Sequence, residues 1–438
     1  MSSSPPSDGA PHWQRNLYVC LFGSFSTIVA MTPLLPFLPL YVQQLGVTSP
    51  KAAVQWSGVA FGATFLAAGL VSPLWGRMAD RYGRKLILIR ASFGMAVVMS
   101  LLGLAQNVWQ LVGLRFLAGL VGGYSSGATV MIATQTPRSR TGWALGTQAS
   151  GVMAGNLVGP LIGGALPPLI GIRNTFFIAG ALIFCAFIAT TWLVKEKPVE
   201  RKRAKSGDST ASAAYNTTGN TTGNATDTPA ASTTTGWASV PDLRPVLAML
   251  VTAALLMFAN MSIEPIITVY VSQLVHDVRH VTLVSGFVMS ASALGSVLAA
   301  SRVGRLADRI GAPKVIVACL AVCAVLLVPQ AFVTSGVQLV VLRFLMGLAL
   351  AGLLPSITSV IRHNVPDRSA GYILGYATSA NYAGQVTGPL AGGFVGAHLG
   401  MQAVFLITSG LMLGGALFNG WVFRGAASGT GARSPRHH

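Results

Sequence analysis

Gly76-Arg77-Met78-Ala79-Asp80-Arg81-Tyr82-Gly83-Arg84-Lys85 returns 228 residues later as Gly304-Arg305-Leu306-Ala307-Asp308-Arg309-Ile310-Gly311. A polar, glycine-bounded loop between two apolar stretches has been copied once. The copy extends beyond the loop. Arg115-Phe116-Leu117-x-Gly119 returns as Arg343-Phe344-Leu345-x-Gly347 at the same offset. Gly159-Pro160-x-x-Gly163-Gly164 returns as Gly388-Pro389-x-x-Gly392-Gly393, and Tyr41-Val42-x-Gln44-Leu45 as Tyr270-Val271-x-Gln273-Leu274, each 229 residues on. Four registers agreeing within one residue make the chain two homologous halves.

The residues are 52% hydrophobic and 9% charged, with a mean hydropathy of +0.61. Soluble domains carry about a quarter charged residues, so this chain lacks the charge to cover a water-facing surface. Apolar runs of roughly 20 residues recur, each long enough to cross about 30 Å of hydrocarbon as a helix. Twelve are predicted, starting near residues 16, 54, 84, 108, 142, 172, 246, 280, 313, 337, 369 and 400. The polar start has no cleavage-site pattern, so the first run is expected to be a retained span. The expected fold is an all-α membrane protein of twelve transmembrane helices in two pseudo-symmetric six-helix bundles. The predicted division is a tail over 1–15, a bundle over 16–194, a flexible Ser/Thr/Asn-rich linker over 195–243, a bundle over 244–424 and a disordered tail over 425–438.

The net charge of +18 raises the question of nucleic acid, and the placement of the charges answers it. Loops alternate between basic (Arg77, Arg81, Arg84 and Lys85; Arg302, Arg305, Arg309 and Lys314) and nearly bare (Lys51, Arg173, Arg279). That alternation is the positive-inside pattern, with both termini on the cytoplasmic side of the inner membrane. Nucleic acid is therefore not an expected partner. The four cysteines fall in apolar runs without the companions a metal site needs, so no metal or organic cofactor is expected.

The duplicated loop is expected to act as a conformational latch through Gly76, Asp80, Arg81, Gly83 and Arg84, and again through Gly304, Asp308 and Arg309. Its aspartates are suited to capping a helix N-terminus and pairing with nearby arginines. Topology-setting arginines explain the same loop equally well. Gly151, Gly155, Gly159, Pro160, Gly163 and Gly164 put a smooth stripe on one helix, with Pro160 expected to bend it.

These phrases carry a resemblance. The Gly76–Lys85 loop resembles the signature of the major facilitator superfamily. The span holding Arg115 and Gly119 is similar to that family's fourth-helix motif, and the Gly151–Gly164 stripe to its fifth-helix antiporter motif. The resemblance spans nearly the whole chain and points to the proton-coupled multidrug exporters. It implies alternating access around a central cavity, protons as the coupling ion, participation of Arg115 in proton coupling, and a small drug-like molecule as substrate. The bilayer and that substrate are the expected partners of a monomer.

Of eleven acidic residues only Glu264 falls inside an apolar span. Its counterpart in the first half is Leu35, whereas Pro265 matches Pro36 and is expected to disrupt the helix. Burial disfavours the charged form of a carboxyl, the property a proton carrier needs. Binding a cationic substrate is the alternative use. Arg115 and Arg343 are the strongest internal cations, and burying each costs roughly 2.5–3.5 kcal/mol on insertion scales, so each is expected to face a cavity or an acceptor. The expected cavity lining is Met31, Phe37, Tyr124, Gln148, Met153, Asn156, Phe258, Asn260, Asn381, Tyr382 and Gln385. The function expected is drug export in exchange for protons. An exporter of sugars, siderophores or other metabolites is the nearest alternative. A receptor or membrane enzyme is further off, since no Ser-His pair or phosphate loop stands at catalytic spacing.

Overall fold

A computed structural model describes residues 12–196, 237, 240, 242–275 and 277–430; for Asp80, Arg138, Val278, Arg279, Asp367, Arg368 and 425–430 it describes the backbone alone. The predicted linker 195–243 and the tails 1–15 and 425–438 lie largely outside the described residues.

Fifteen α-helices build the described fold. They are Trp13–Met31 (α1), Leu38–Gln44 (α2), Pro50–Tyr82 (α3), Arg84–Gly103 (α4), Val108–Val121 (α5), Tyr124–Gln135 (α6), Thr141–Ile170 (α7) and Ile172–Leu193 (α8) in the first half. Leu243–Leu274 (α9), Val278–Ile310 (α10), Ala312–Gln330 (α11), Gly336–Leu350 (α12), Leu353–Asn364 (α13), Asp367–His398 (α14) and Met401–Thr430 (α15) form the second. The first, fourth and tenth spans are each two helices end to end, so the fifteen make twelve crossings, starting within a few residues of the predicted places. Eleven are long and apolar enough to cross a membrane by length and composition. The twelfth, α14, is as long but diluted by Ser379, Asn381, Gln385 and its glycines.

The repeat in the sequence is a repeat in space. Asn107 caps α5 by accepting from Gln110 N, and Ser335 caps α12 by accepting from Gln338 N. The Tyr41 hydroxyl donates to Leu102 O at 2.5 Å and the Tyr270 hydroxyl to Gln330 O at 2.9 Å. Gly83 (φ 94°) and Gly311 (φ 93°) turn the chain between antiparallel helices, a conformation that favours glycine. Two apolar clusters fill the first half, and a third fills the second with only Val54 joining it from the first.

The bundles meet at one end. Near the start of α3, a Cβ on Gly58 would collide with Pro389 O of α14, and Tyr382 covers Gly69 one bilayer leaflet deeper. On the other side a Cβ on Gly286 of α10 would collide with Pro160 O of α7, and Ser290 Oγ donates to Leu157 O at 2.7 Å. Such close backbone approach is what small residues provide where lipid supplies no hydrophobic drive. Toward the arginine-rich loops the contact stops. Gly76, Gly142, Gly146, Gly371 and Gly375 have open space where a side chain would stand.

Candidate functional site

Two prolines set the shape of the first span. Pro36 and Pro39 lack the N–H groups that Thr32 O and Leu35 O would accept from in an α-helix. Thr32 O takes Leu35 N instead, at 3.1 Å, and the chain passes through a short 3₁₀ turn before α2 begins. The seventh span carries only one of the two: Thr268 stands in the place of Pro39. Contrary to the sequence expectation, Pro265 does not interrupt α9, which continues for 32 residues. One missing donor is absorbed by local adjustment of a membrane helix; two in close succession are not.

The hydroxyl of Thr268 crosses to the other bundle. It donates to Pro36 O at 3.0 Å and reaches Leu35 O at 3.5 Å. This fixes the direction of the α9 face that carries Asn260, Glu264 and Thr268 at intervals of four: it looks toward the broken first span. Glu264 retains partial accessibility between the buried Ile263 and Pro265. Its charge is felt by Arg343 of its own bundle and by Arg115 of the opposite one. Among the described residues no ion pair or hydrogen bond holds its carboxyl.

Both arginines are deeply buried, Arg115 at 2% exposure and Arg343 at 6%. Arg115 lies 5.1 Å from the centre of the Phe61 ring. Its Nε and Nη1, and the Nε and Nη2 of Arg343, have no partner among the described residues. Two guanidiniums therefore share their surroundings with a single carboxyl. Such a carboxyl can exchange a proton, and the change of charge is felt in both bundles.

The predicted lining divides in two. Met153 and Asn156 continue, toward the open end, the face of α7 that meets α10 at Leu157, Pro160 and Gly164. Tyr382 and Gln385 do the same on α14, whose Pro389 and Gly393 meet α3. Each pair stands 229 residues from the other, as do Met31 and Asn260. Phe258 packs where Gly384 and Gly388 of α14 press on α9, and Asn381 Oδ1 is buried without a partner among the described residues. Three others face the interior of the first bundle. The Tyr124 hydroxyl pairs with Thr190 Oγ1 at 2.7 Å, Phe37 stacks edge-on against Phe176, and Gln148 Nε2 donates to Ser24 Oγ at 2.5 Å.

The glycine stripe is shared by both halves. Gly151, Gly155, Gly159 and Gly163 lie against Leu21, Ile28, Thr32 and Pro33 of the first span, and Gly384, Gly388 and Gly392 against Ala254, Phe258 and Ser262 of α9. Gly164 and Gly393 turn the other way, onto α10 and α3 of the opposite bundle. Pro160 lies within a continuous α7.

In the duplicated loop, Gly76 and Gly304 stand in open space, and Arg81 lies 5.3 Å from the Tyr82 ring. The Asp80 side chain is outside what is described. Asp308 and Arg309 are exposed, and Asp308 has no partner among the described residues. Arg84 donates to Val130 O at 3.0 Å and to Thr134 Oγ1. The acid seen on the N-terminus of α4 is Glu196, which accepts from Arg84 N at 3.1 Å and Lys85 N at 2.7 Å. Sequence reasoning left Glu196 in the linker; the basic helix start at Arg84 was the available signal. It also missed the clamp on the break of the fourth span. There Trp75 Nε1 donates to Leu120 O at 2.8 Å, and Arg90, stacked 3.4 Å from the Trp75 ring centre, donates to Gly122 O at 3.0 Å. Among the described residues no three His, Cys, Asp or Glu gather as metal ligands do.

A family model described as Major Facilitator Superfamily matches residues 20–302 and 281–438. The chain is 39% identical over 423 residues to multidrug resistance protein MdtG of Yersinia enterocolitica, covering 96% of this chain and 95% of that one. It is 40% identical over 416 residues to the protein of the same name from Salmonella typhimurium, covering 94% and 96%. Among solved structures it is similar to a bacterial homologue of the human lysosomal transporter Spinster in an inward-facing, occupied conformation, with a TM-score of 0.73 and 15% identity over 95% of this chain and 97% of that one. It also resembles the nucleoside transporter NupG, with a TM-score of 0.68 and 14% identity over 95% and 100%. At such identities the two structures speak for the fold. The matched family and the paired halves agree: this chain belongs to the Major Facilitator Superfamily, in the branch of its multidrug-resistance relatives.

Proposed function

We propose that the protein exports amphipathic drug-like molecules by alternating access, in exchange for protons carried by Glu264. The observation that carries this reading is a lone carboxyl at membrane depth, on the α9 face turned toward the opposite bundle, in the field of one arginine from each half. The names of the MdtG relatives support the substrate class. With the positive-inside rule, the end where the bundles part is cytoplasmic, so the chamber opens inward and both termini lie inside. The exposed Asp308, without a partner among the described residues, suits a latch that engages only when that end closes. The bundles divide at 16–194 and 244–424, and the monomer is the working unit.

Substrate meets Met153 and Asn156 on one wall, Tyr382 and Gln385 on the other, and Met31 and Asn260 above them. Adaptable sulfur, aromatic and amide groups suit varied amphipathic shapes. Arg115 and Arg343 hold the charged form of Glu264 when its proton leaves. The driving force suffices: a proton crossing about 120 mV yields roughly 2.8 kcal/mol, and a tenfold pH difference about 1.4 more. Together these sustain roughly a thousandfold gradient for one-for-one exchange.

Inverted vesicles loaded by a panel of fluorescent amphiphiles test the reading. Uptake by the wild type should follow an imposed pH gradient and vanish with an uncoupler, and Glu264→Gln should lose it. Gradient-driven uptake persisting in the variant removes Glu264 from coupling.

A further inference from the structure

The two copies of the repeat are joined by a bond that only one of them can donate. Thr268, fully buried in α9, gives its hydroxyl hydrogen to the first span, at 3.0 Å from Pro36 O with Leu35 O at 3.5 Å. Leu35 O has no donor in its own segment, because the residue four places on is Pro39. Pro36 O precedes α2, and no backbone N–H bonds to it. A carbonyl left bare at membrane depth must find a donor or water. At the place equivalent to Thr268 the first half has Pro39, which offers neither an N–H nor a hydroxyl. The pairing is therefore one-directional, from the second bundle to the first.

Glu264 lies four residues before Thr268 on an unbroken helix, hence on the same face and one turn nearer the open end. Beyond Thr268 the bundles are in contact, and α14 still meets α3 below it at Gly58 and Gly69; they part only toward the arginine-rich loops. We propose that Thr268 is a positioning residue for the exchange cycle: its hydroxyl ties α9 to the broken first span and keeps Glu264 shut off from the closed end until the bundles rock. The tie itself stands on geometry. Its importance for coupling rests on the proton-carrier reading of Glu264.

The test uses the full chain in liposomes, with its four cysteines replaced and spin labels at positions 106 and 334, exposed equivalents in the loops at the closed end. Distances between the labels report how often that end opens. Thr268→Val keeps the shape and removes the donor; it should raise the open fraction relative to the closed by about fivefold, the worth of one hydrogen bond that water replaces on opening. Thr268→Ser should stay within about twofold of wild type. Thr268→Ala removes the same donor with a smaller side chain, and it should shift the distances in the same direction. A wild-type distance distribution in Thr268→Val overturns the proposal; if that variant does not fold, Thr268→Ala decides it by the same criterion. Glu264→Gln in the vesicle assay separates the two readings. Retained pH-driven uptake there, together with an opened Thr268→Val, leaves the tie standing and removes only its link to protons.

Discussion

Residues 33–42 and 262–271 are copies of one ancestral segment, and they have been put to opposite uses. Tyr41 and Tyr270 still anchor each copy to its own bundle through equivalent carbonyls, Leu102 O and Gln330 O. Two positions before the shared tyrosine-valine pair diverge in kind. Pro39 faces Thr268 across the repeat, and with Pro36 it breaks one span while α9 stays whole. Leu35 packs against the first bundle's core, whereas Glu264 lies on the α9 face turned toward the first span. The broken copy supplies bare carbonyls; the straight copy supplies a hydroxyl and a carboxyl. Symmetry thus builds the scaffold, and the departures from it build the proposed site.

If that division is right, substitutions at diverged places should have unequal effects and those at shared places equal ones. The largest contrast is at the acid. Leu35→Gln should keep pH-driven uptake within about twofold, while Glu264→Gln should reduce it on the order of a hundredfold or more, the scale of a lost proton-transfer group. Moving the acid, as Leu35→Glu with Glu264→Leu, should not restore uptake, since position 35 lies on the break and packs into the first bundle. Recovery in the double variant would break the comparison. The intermediate contrast is at Thr268, whose counterpart Pro39 has no donor to lose: Thr268→Val should shift the balance of bundle opening about fivefold. The smallest effects belong to the shared pair. Tyr41→Phe and Tyr270→Phe each remove one buried hydrogen bond, costing about 1 kcal/mol. Thermal midpoints in detergent should fall by similar amounts, with uptake per folded molecule unchanged. Markedly unequal shifts would show that the two anchors are not equivalent.

Most of the fold was legible in the chain because it rests on long-range regularities: span length, the 228- and 229-residue offsets and the alternation of basic loops. Glu264 stands out as a candidate for a simpler reason, as the one acid in an apolar run. What escaped were contacts between distant segments. Thr268 reads as an ordinary β-branched residue until the carbonyls freed by Pro36 and Pro39 are seen beside it. Glu196 reads as linker charge until it is found on the N-terminus of α4. Tyr124, Phe37 and Gln148 read as polar or aromatic residues in candidate cavity helices, yet a helix offers both faces, and theirs turn into the first bundle. Period alone names a face; it does not say which neighbour the face meets.

The central claim is that Glu264 gives up its proton when substrate occupies the chamber. It is tested most directly by adding a transported amphiphile to the purified protein in weakly buffered detergent solution and following pH with a dye. The account predicts release of about one proton per molecule bound by the wild type and none by Glu264→Gln, with binding of the amphiphile still measurable in both. Equal proton release from the two proteins would contradict it.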